Sequence, residues 1–248
     1  MKYLENSGME ALSSTISVGA VDCVIDFKLE TYSSKMVQQD KKQFKTQDKT
    51  GSWNERQPLS PPDDFAFISS SPVVPLGHAA RLRHMSERSW SGSDNDFEED
   101  LQINIVDSVS RRTLYDLQMV LNSAYPDYDF ASVKSESFSL VNYNDLCLFV
   151  DGKLEPVVHN YHLKKEDLWT IIDEAILPRD CRIYSFKSQY EDDPFSEDGC
   201  MWSIAFIFYN KNMKRFVLLT CRCISKQTDV ADSFISNFSE DEDGSGSH

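Results

Sequence analysis

The chain has 248 residues, 40% apolar and 12% aromatic, enough for a packed core, with 26% charged residues and a formal charge of −15. Residues 91–107 hold six acids and no base, and residues 226–248 hold six acids against one base. Eleven of the fifteen net charges therefore lie in two short stretches. Without clustered Lys and Arg to displace counterions from phosphates, this balance argues against direct nucleic-acid binding and favours partners with basic surfaces.

The N-terminal Met1-Lys-Tyr-Leu-Glu-Asn6 lacks the apolar run of a signal peptide, and no stretch approaches the ~18 apolar residues that cross a bilayer. The six cysteines (Cys23, Cys147, Cys181, Cys200, Cys221 and Cys223) are accordingly read as reduced, mostly buried residues. The expected setting is cytosol or nucleus, with no membrane partner.

Leu4 to Ile16 is read as a helix capped near Asn6 or Ser7, with Gly8 weakening it. Residues 21–31 then alternate. Val21, Cys23, Ile25, Phe27 and Leu29 share one face, and Asp22, Asp26, Lys28 and Glu30 the other, the pattern of a half-buried strand. Lys35 to Lys45 is a polar, helical stretch. Residues 46–107 change character, with Pro58, Pro61, Pro62, Pro72 and Pro75, many serines and the acidic run Asp94 to Asp100. No apolar period crosses them, so they are expected to be a disordered insert, with Phe65–Ile68 and Leu101–Val106 as apolar islands able to dock.

Order is expected again from Ser108. Leu114, Leu117 and Leu121 fall at helical spacing, Ser108 or Ser110 can cap, and Pro126 stops the helix. Residues 138–150 suit a buried helix or a strand, and helix is favoured. Leu168, Ile171, Ile172, Ala175 and Ile176 form one stripe of a helix over 165–177, ended by Pro178. Three strands follow, Cys181–Lys187, Met201–Tyr209 and Met213–Cys223, with Asn210-Lys-Asn212 as a hairpin turn. Met201–Tyr209 is apolar on almost both faces and is placed centrally, covered by helices. A lone strand at 21–31 is unstable by itself, so it must pair with the later strands across the insert.

The expected fold class is α/β (α+β), with a central sheet of about four to five strands flanked by helices. The expected organisation is one globular domain in two parts, 1–45 and 108–225, split by the insert 46–107 and followed by a disordered acidic tail, 226–248.

Chemistry is sparse. The nine glycines form no phosphate-cradling loop, and no HExxH or GxSxG occurs. His159 and His162 stand three apart without a nearby third ligand, and are read as surface histidines ahead of a helix. Cys221 and Cys223 share a strand face and are read as core. Glu191 to Gly199 is the densest acidic cluster in the ordered region. It lacks the ligand order of an EF-hand and is read as a solvated loop able to face a basic partner. Tyr125-Pro-Asp-Tyr-Asp-Phe130 carries two readings of equal weight: an interaction patch, or a folded-down helix end whose Tyr128 and Phe130 fill the core. No catalytic residue, metal or cofactor is assigned.

The insert holds phosphorylation patterns. Arg81 and Arg83 stand five and three residues before Ser86, and Arg88 stands three before Ser91 and directly before Ser89. Such arginines pair with carboxylates in a basophilic kinase cleft. Ser60-Pro61 and Ser71-Pro72 are Ser-Pro sites, and Ser93 has an acid at +3. Each phosphate adds roughly −1.5 to −2 charges at neutral pH, enough to invert the Arg81–Arg88 patch.

Several segments together resemble the eukaryotic Maf-type negative regulators of RNA polymerase III transcription, a family distinct from the leucine-zipper and bacterial Maf proteins. They are Met1–Asn6, Glu30–Met36, Ser110–Leu114, Pro126–Phe130, Leu168-Trp169, Asp192–Gly199 and Trp202 to Arg215, in that order and spacing. The resemblance implies one α/β domain with an antiparallel sheet and no enzymatic activity. It implies binding to RNA polymerase III near its cleft and clamp, which blocks recruitment to the promoter-bound initiation factor and so represses tRNA transcription. It further implies control by kinases of the TOR and protein kinase A type and by a phosphatase, with shuttling between nucleus and cytoplasm.

Carried onto this chain, the regulatory serines are Ser86, Ser89 and Ser91, with Ser60 and Ser71 as further sites. The partner contacts are Lys35, Asp127, Tyr128, Asp129, Asp192, Asp193, Glu197 and Asp198. A monomer is expected. The competing readings are a metal-dependent hydrolase built on the 191–199 loop and a general acidic nuclear adaptor.

Overall fold

Alternating β-branched and aromatic residues build the longest strands, and these organise everything else. The computed structural model describes residues 1–18, 20, 22–47, 56–61, 107–187 and 193–226. The first elements are β1 (Lys2–Leu4), α1 (Ser7–Val18), β2 (Cys23–Ser33), α2 (Gln38–Gln47) and β3 (Arg56–Pro58). After the insert come β4 (Ser108–Ser110), α3 (Arg111–Ala124), β5 (Phe138–Leu140), α4 (Tyr143–Leu154) and α5 (Tyr161–Ile176). Three strands complete the fold: β6 (Arg182–Phe186), β7 (Cys200–Asn210) and β8 (Arg215–Ser225).

Six strands form one antiparallel sheet in the order β1-β2-β8-β7-β6-β5. The expected pairing across the insert is present, because all eleven residues of β2 pair with β8, from Cys23↔Ser225 to Ser33↔Arg215. The sheet has six strands where about four to five were expected, and the two not placed from the sequence are the short edges β1 and β5. Residues 138–150, favoured as helix, divide instead. Phe138–Leu140 pairs with β6, and Asn142 then caps α4 by accepting the Asn144 N–H at 2.9 Å. The signal for that break was the capping residue itself, ahead of Leu146, Val150 and Leu154 at helical spacing.

The insert is also less plain than expected. Arg56–Pro58 forms β3 and pairs antiparallel with β4, so the two roots of the insert are zipped together. The anchor is Leu59, 3% exposed, whose N–H donates to the Asp107 carbonyl at 2.8 Å. Residues 48–55 and 62–106 of the insert and the tail from 227 lie outside the described residues. The β7–β8 turn runs over 211–214 rather than 210–212. Asn210 belongs to β7 and accepts the Met213 N–H at 3.0 Å, and Lys214 takes a left-handed φ of 53°.

Each sheet face has its own core. α1, α4 and α5 cover one face, where Cys23, Ile25, Phe27 and Leu29 meet Met9, Leu12, Ile16, Leu168 and Ile172. α3 and the loops beside it cover the other, over Tyr32, Tyr184, Ile207, Phe216 and Leu218. α1 begins at Ser7 rather than Leu4, because Asn6 Oδ1 accepts the N–H groups of Gly8 and Met9 at 3.1 and 3.2 Å. α1 also lies along the edge of β2. Ser13 and Ser17, one turn apart, accept the Leu29 and Phe27 N–H groups at 3.1 Å each.

Candidate interaction surface

The surface begins with the end of α3. Tyr125 terminates the helix, its N–H bonding the Leu121 carbonyl, and its hydroxyl lies 2.8 Å from Thr220 Oγ1 of β8. Its ring is buried 5.2 Å from that of Phe195, and Lys28 Nζ stands 4.1 Å from its centroid. The chain then turns. Phe130 is buried, its N–H held by Asn122 Oδ1 at 2.8 Å, while Asp129 Oδ1 accepts the Ala131 N–H at 2.8 Å. Phe130 fills the core as the folded-down reading has it, together with Tyr125; Tyr128 packs against that core half-buried, and Asp127 and Asp129 stay exposed.

The acidic loop before β7 is pinned in the same way. Phe195 inserts its ring between Tyr125 and Phe186. Asp193 Oδ1 accepts the Phe195 N–H at 2.7 Å, and Ser203 Oγ donates to the Phe195 carbonyl at 2.9 Å. Gly199 adopts a φ of 83°, a left-handed conformation that favours glycine, as the loop enters β7.

Arg222 of β8 joins the two segments. Its Nε and one terminal nitrogen donate to Asp26 Oδ2 of β2 at 3.0 and 2.8 Å. Its other terminal nitrogen reaches the Pro194 carbonyl at 2.9 Å and Glu197 Oε2 at 2.8 Å. Asp26 and Arg222 are cross-strand partners, so the sheet itself orients the guanidinium toward the loop. The second Glu197 oxygen accepts the Tyr128 hydroxyl, and that carboxylate pushes the Tyr128 pKa up. Two acidic segments, with Tyr128 and Glu197 69 residues apart in sequence, thus share one hydrogen-bonded frame.

The expected contact residues divide accordingly. Asp127, Asp129 and Asp198 are exposed on this frame, and Glu197 is exposed while bonded to Arg222 and Tyr128. Asp193 is corrected from a contact residue to a loop-folding one, since it is 5% exposed and its Oδ1 caps its own turn. Asp192 lies outside the described residues. Lys35 is exposed beside the β7–β8 turn, where the Ser34 N–H bonds the Lys214 carbonyl. At ~3.3 Å per residue, the β2 stretch from Asp26 to Ser33 alone separates it from this frame by roughly 23 Å. Arg222 and Asp26 escaped the sequence reading. Asp26 stood there only as one of the charged residues on the polar face of its strand, and Arg222 was one lone base among the apolar residues of the last strand.

Of the serines expected to be regulatory, Ser60 is described and half-buried. Its N–H bonds the Phe138 carbonyl at 2.9 Å and its hydroxyl donates to the Glu136 carbonyl, a parallel bridge to the outer edge of β5. Ser71, Ser86, Ser89 and Ser91 lie outside the described residues. His159 and His162 are both exposed, and among the described residues no group of three His, Cys, Asp or Glu is arranged to hold a metal. All six cysteines are free thiols. Cys221 and Cys223 are fully buried, and burial pushes the Cys223 thiol up.

Comparison with known proteins agrees with this architecture. Two crystal structures of citrus MAF1 superpose with TM-scores of 0.51 and 0.52 at 21% identity, covering 89% and 88% of this chain and 100% and 99% of theirs. The repressor of RNA polymerase III transcription of Schizosaccharomyces pombe is 28% identical over 233 residues, spanning 92% of this chain and 84% of its own. That of Dictyostelium discoideum is 28% identical over 244 residues, spanning 91% and 86%. The Maf1 regulator family model matches residues 25–220, most of the chain, and the protein is a member of that family.

Proposed function

We propose that this protein represses transcription by RNA polymerase III, acting as a regulator rather than an enzyme, by binding the polymerase through the frame around Arg222. Two Maf1 relatives that align over 84% and 86% of their own length carry the name of that repressor. The observation that carries the binding reading is the Tyr128–Glu197–Arg222–Asp26 network, which joins the two segments that carry the exposed Asp127, Asp129 and Asp198. Preorganised carboxylates steer and orient a basic protein surface without an ordering cost at contact. The cleft and clamp region of the polymerase is the proposed landing area, and recruitment to the initiation factor is the step blocked.

Regulation is proposed to enter through the insert. Phosphates on Ser86, Ser89 and Ser91, with Ser60 and Ser71 as further sites, would come from kinases of the TOR and protein kinase A type and be removed by a phosphatase. Modified protein is held in the cytoplasm, and unmodified monomer acts in the nucleus. The division into a globular core, 1–45 with 108–225, around the insert 46–107 and ahead of the tail 226–248 belongs to the same reading.

The test is a pull-down and an in vitro transcription assay with purified RNA polymerase III. Asp127→Lys/Asp198→Lys is expected to weaken polymerase binding at least tenfold while leaving the melting temperature unchanged. Equal binding and repression by that variant would remove this surface from the reading. Failure of the wild-type protein to repress at all would remove the function.

A further inference from the structure

The outward side of α4 and the start of β7 carry an apolar strip that no described part of the fold covers. Leu148 is 66% exposed and Met201 56%, while Phe149 and Trp202 are half-buried against the core beneath. Lys153 bridges the two rings, its Nζ 5.6 Å from the Phe149 centroid and 5.7 Å from that of Trp202. Phe149 in turn meets Phe206 of β7 edge-on at 6.1 Å. Gly152 lies one turn beyond Leu148, and no described atom comes within 4 Å of the place a Cβ there would occupy. The exposed Asp145 and Glu155 bound the strip toward the two ends of the helix.

A glycine inside a helix is disfavoured relative to alanine, and the open space above Gly152 means that packing within the described fold does not demand one. A chain laid closely across the helix would demand it. Such a chain is at hand, because the sheet releases its last strand beside this strip. Cys223 pairs with Trp202, Ile224 with Cys200, and the Ser225 N–H donates to the Gly199 carbonyl at 2.9 Å. Beyond Ser225, every apolar residue falls within 230–238. Val230, Phe234 and Phe238 recur there every four residues, the spacing that lines one helical face. The four residues between, 226–229, reach about 13 Å at ~3.3 Å each, enough to turn from β8 over Trp202.

We infer that residues 230–238 of this chain dock on the α4 strip, with Phe234 and Phe238 on the apolar surface around Gly152 and the acidic run from Glu240 left outside. So short a tether gives the segment an effective concentration that a separate partner does not reach. Charge agrees, since Lys153 is the base of the strip and Asp229 and Asp232 are the acids of the segment. The inference goes beyond the polymerase reading, which does not use this strip, and confines the solvated part of the tail to residues 239–248.

The experiment places the photoreactive residue p-benzoylphenylalanine at the exposed position of Leu148 in the full-length protein, and maps the cross-links formed on irradiation by mass spectrometry. Cross-links within one chain to residues 230–238 are expected, at least fivefold fewer in Phe234→Asp/Phe238→Asp. Gly152→Gln supplies a better helix former whose side chain blocks close approach. It is expected to cut the yield by a similar factor without lowering the melting temperature, which separates lost docking from lost folding. Yields that neither variant changes overturn the docking, as do cross-links confined to other parts of the chain or none at all. Cross-links between chains that grow with protein concentration overturn the assignment to this chain's own tail, and mark the strip as an interface between copies.

Discussion

Asp116 shows how one buried charge shapes the response of this fold to pH. The carboxylate sits on α3 at 3% exposure, with Oδ2 bonded to Arg112 Nε at 3.0 Å and Oδ1 unbonded. Burial, only partly offset by Arg112, raises its pKa from 3.8 to about 6. Because the folded pKa lies above the unfolded one, the neutral acid favours folding. That contribution is complete below about pH 4 and is lost as pH rises through about 6. A shift of this size corresponds to about 3 kcal/mol between the two limits. Asp116→Asn keeps the shape and removes the titration. Urea melts at pH 4, 6 and 8 are expected to show the variant gaining on the wild type by up to that amount as pH rises. Parallel stability profiles would show that the carboxylate is not buried as described. No periodicity announces this residue. Its burial follows from α3 packing over Tyr32 and Tyr209, a matter of tertiary placement.

Among the elements, α1 and β2 are coupled in a way that neither pattern reveals alone. β1 covers only residues 31–33 of β2, which leaves the rest of that edge for other partners. The hydroxyls of Ser13 and Ser17 take the Leu29 and Phe27 N–H groups, so a helix face protects a strand edge that would otherwise invite intermolecular pairing. Ser13→Ala/Ser17→Ala leaves two edge donors unbonded, at a cost of about 1–3 kcal/mol each when buried. The double variant is expected to lose stability by chemical denaturation, to exchange the Phe27 and Leu29 amides faster and to aggregate more readily on heating. Unaltered exchange at those two amides would show the hydroxyls to be dispensable. The elements themselves were legible: β2, α3, α5, β6, β7 and β8 lie within a few residues of where alternation, capping and prolines put them. Short edge strands were not. β1, β3 and β5 have three residues each, too few for a period, and exist because a neighbour offers hydrogen bonds.

On the scale of the whole molecule, β2 forms one flank of the central strand pair and is separated from its partner β8 by nearly the full length of the chain. A fragment of residues 107–226 would expose Val217, Leu219, Cys221 and Cys223 along an unpaired β8. It is expected to lack a cooperative thermal transition until residues 1–61 are supplied. Removing residues 62–106 and joining Pro61 to Asp107 through a short glycine linker should keep the transition within a few degrees, because the Leu59 N–H already bonds the Asp107 carbonyl at 2.8 Å. Calorimetry on both proteins checks this; a stable, cooperative 107–226 fragment would refute the shared-sheet architecture. Elements, cores and the bond across the insert follow from local pattern, because burial of apolar faces leaves few ways to arrange strands of these lengths. The roles of the charged residues do not. Whether an acid faces solvent, like Asp198, or folds its own loop, like Asp193, depends on which backbone and guanidinium groups the packed chain brings within three ångströms or so, a distance at which hydrogen bonding outweighs any sequence preference.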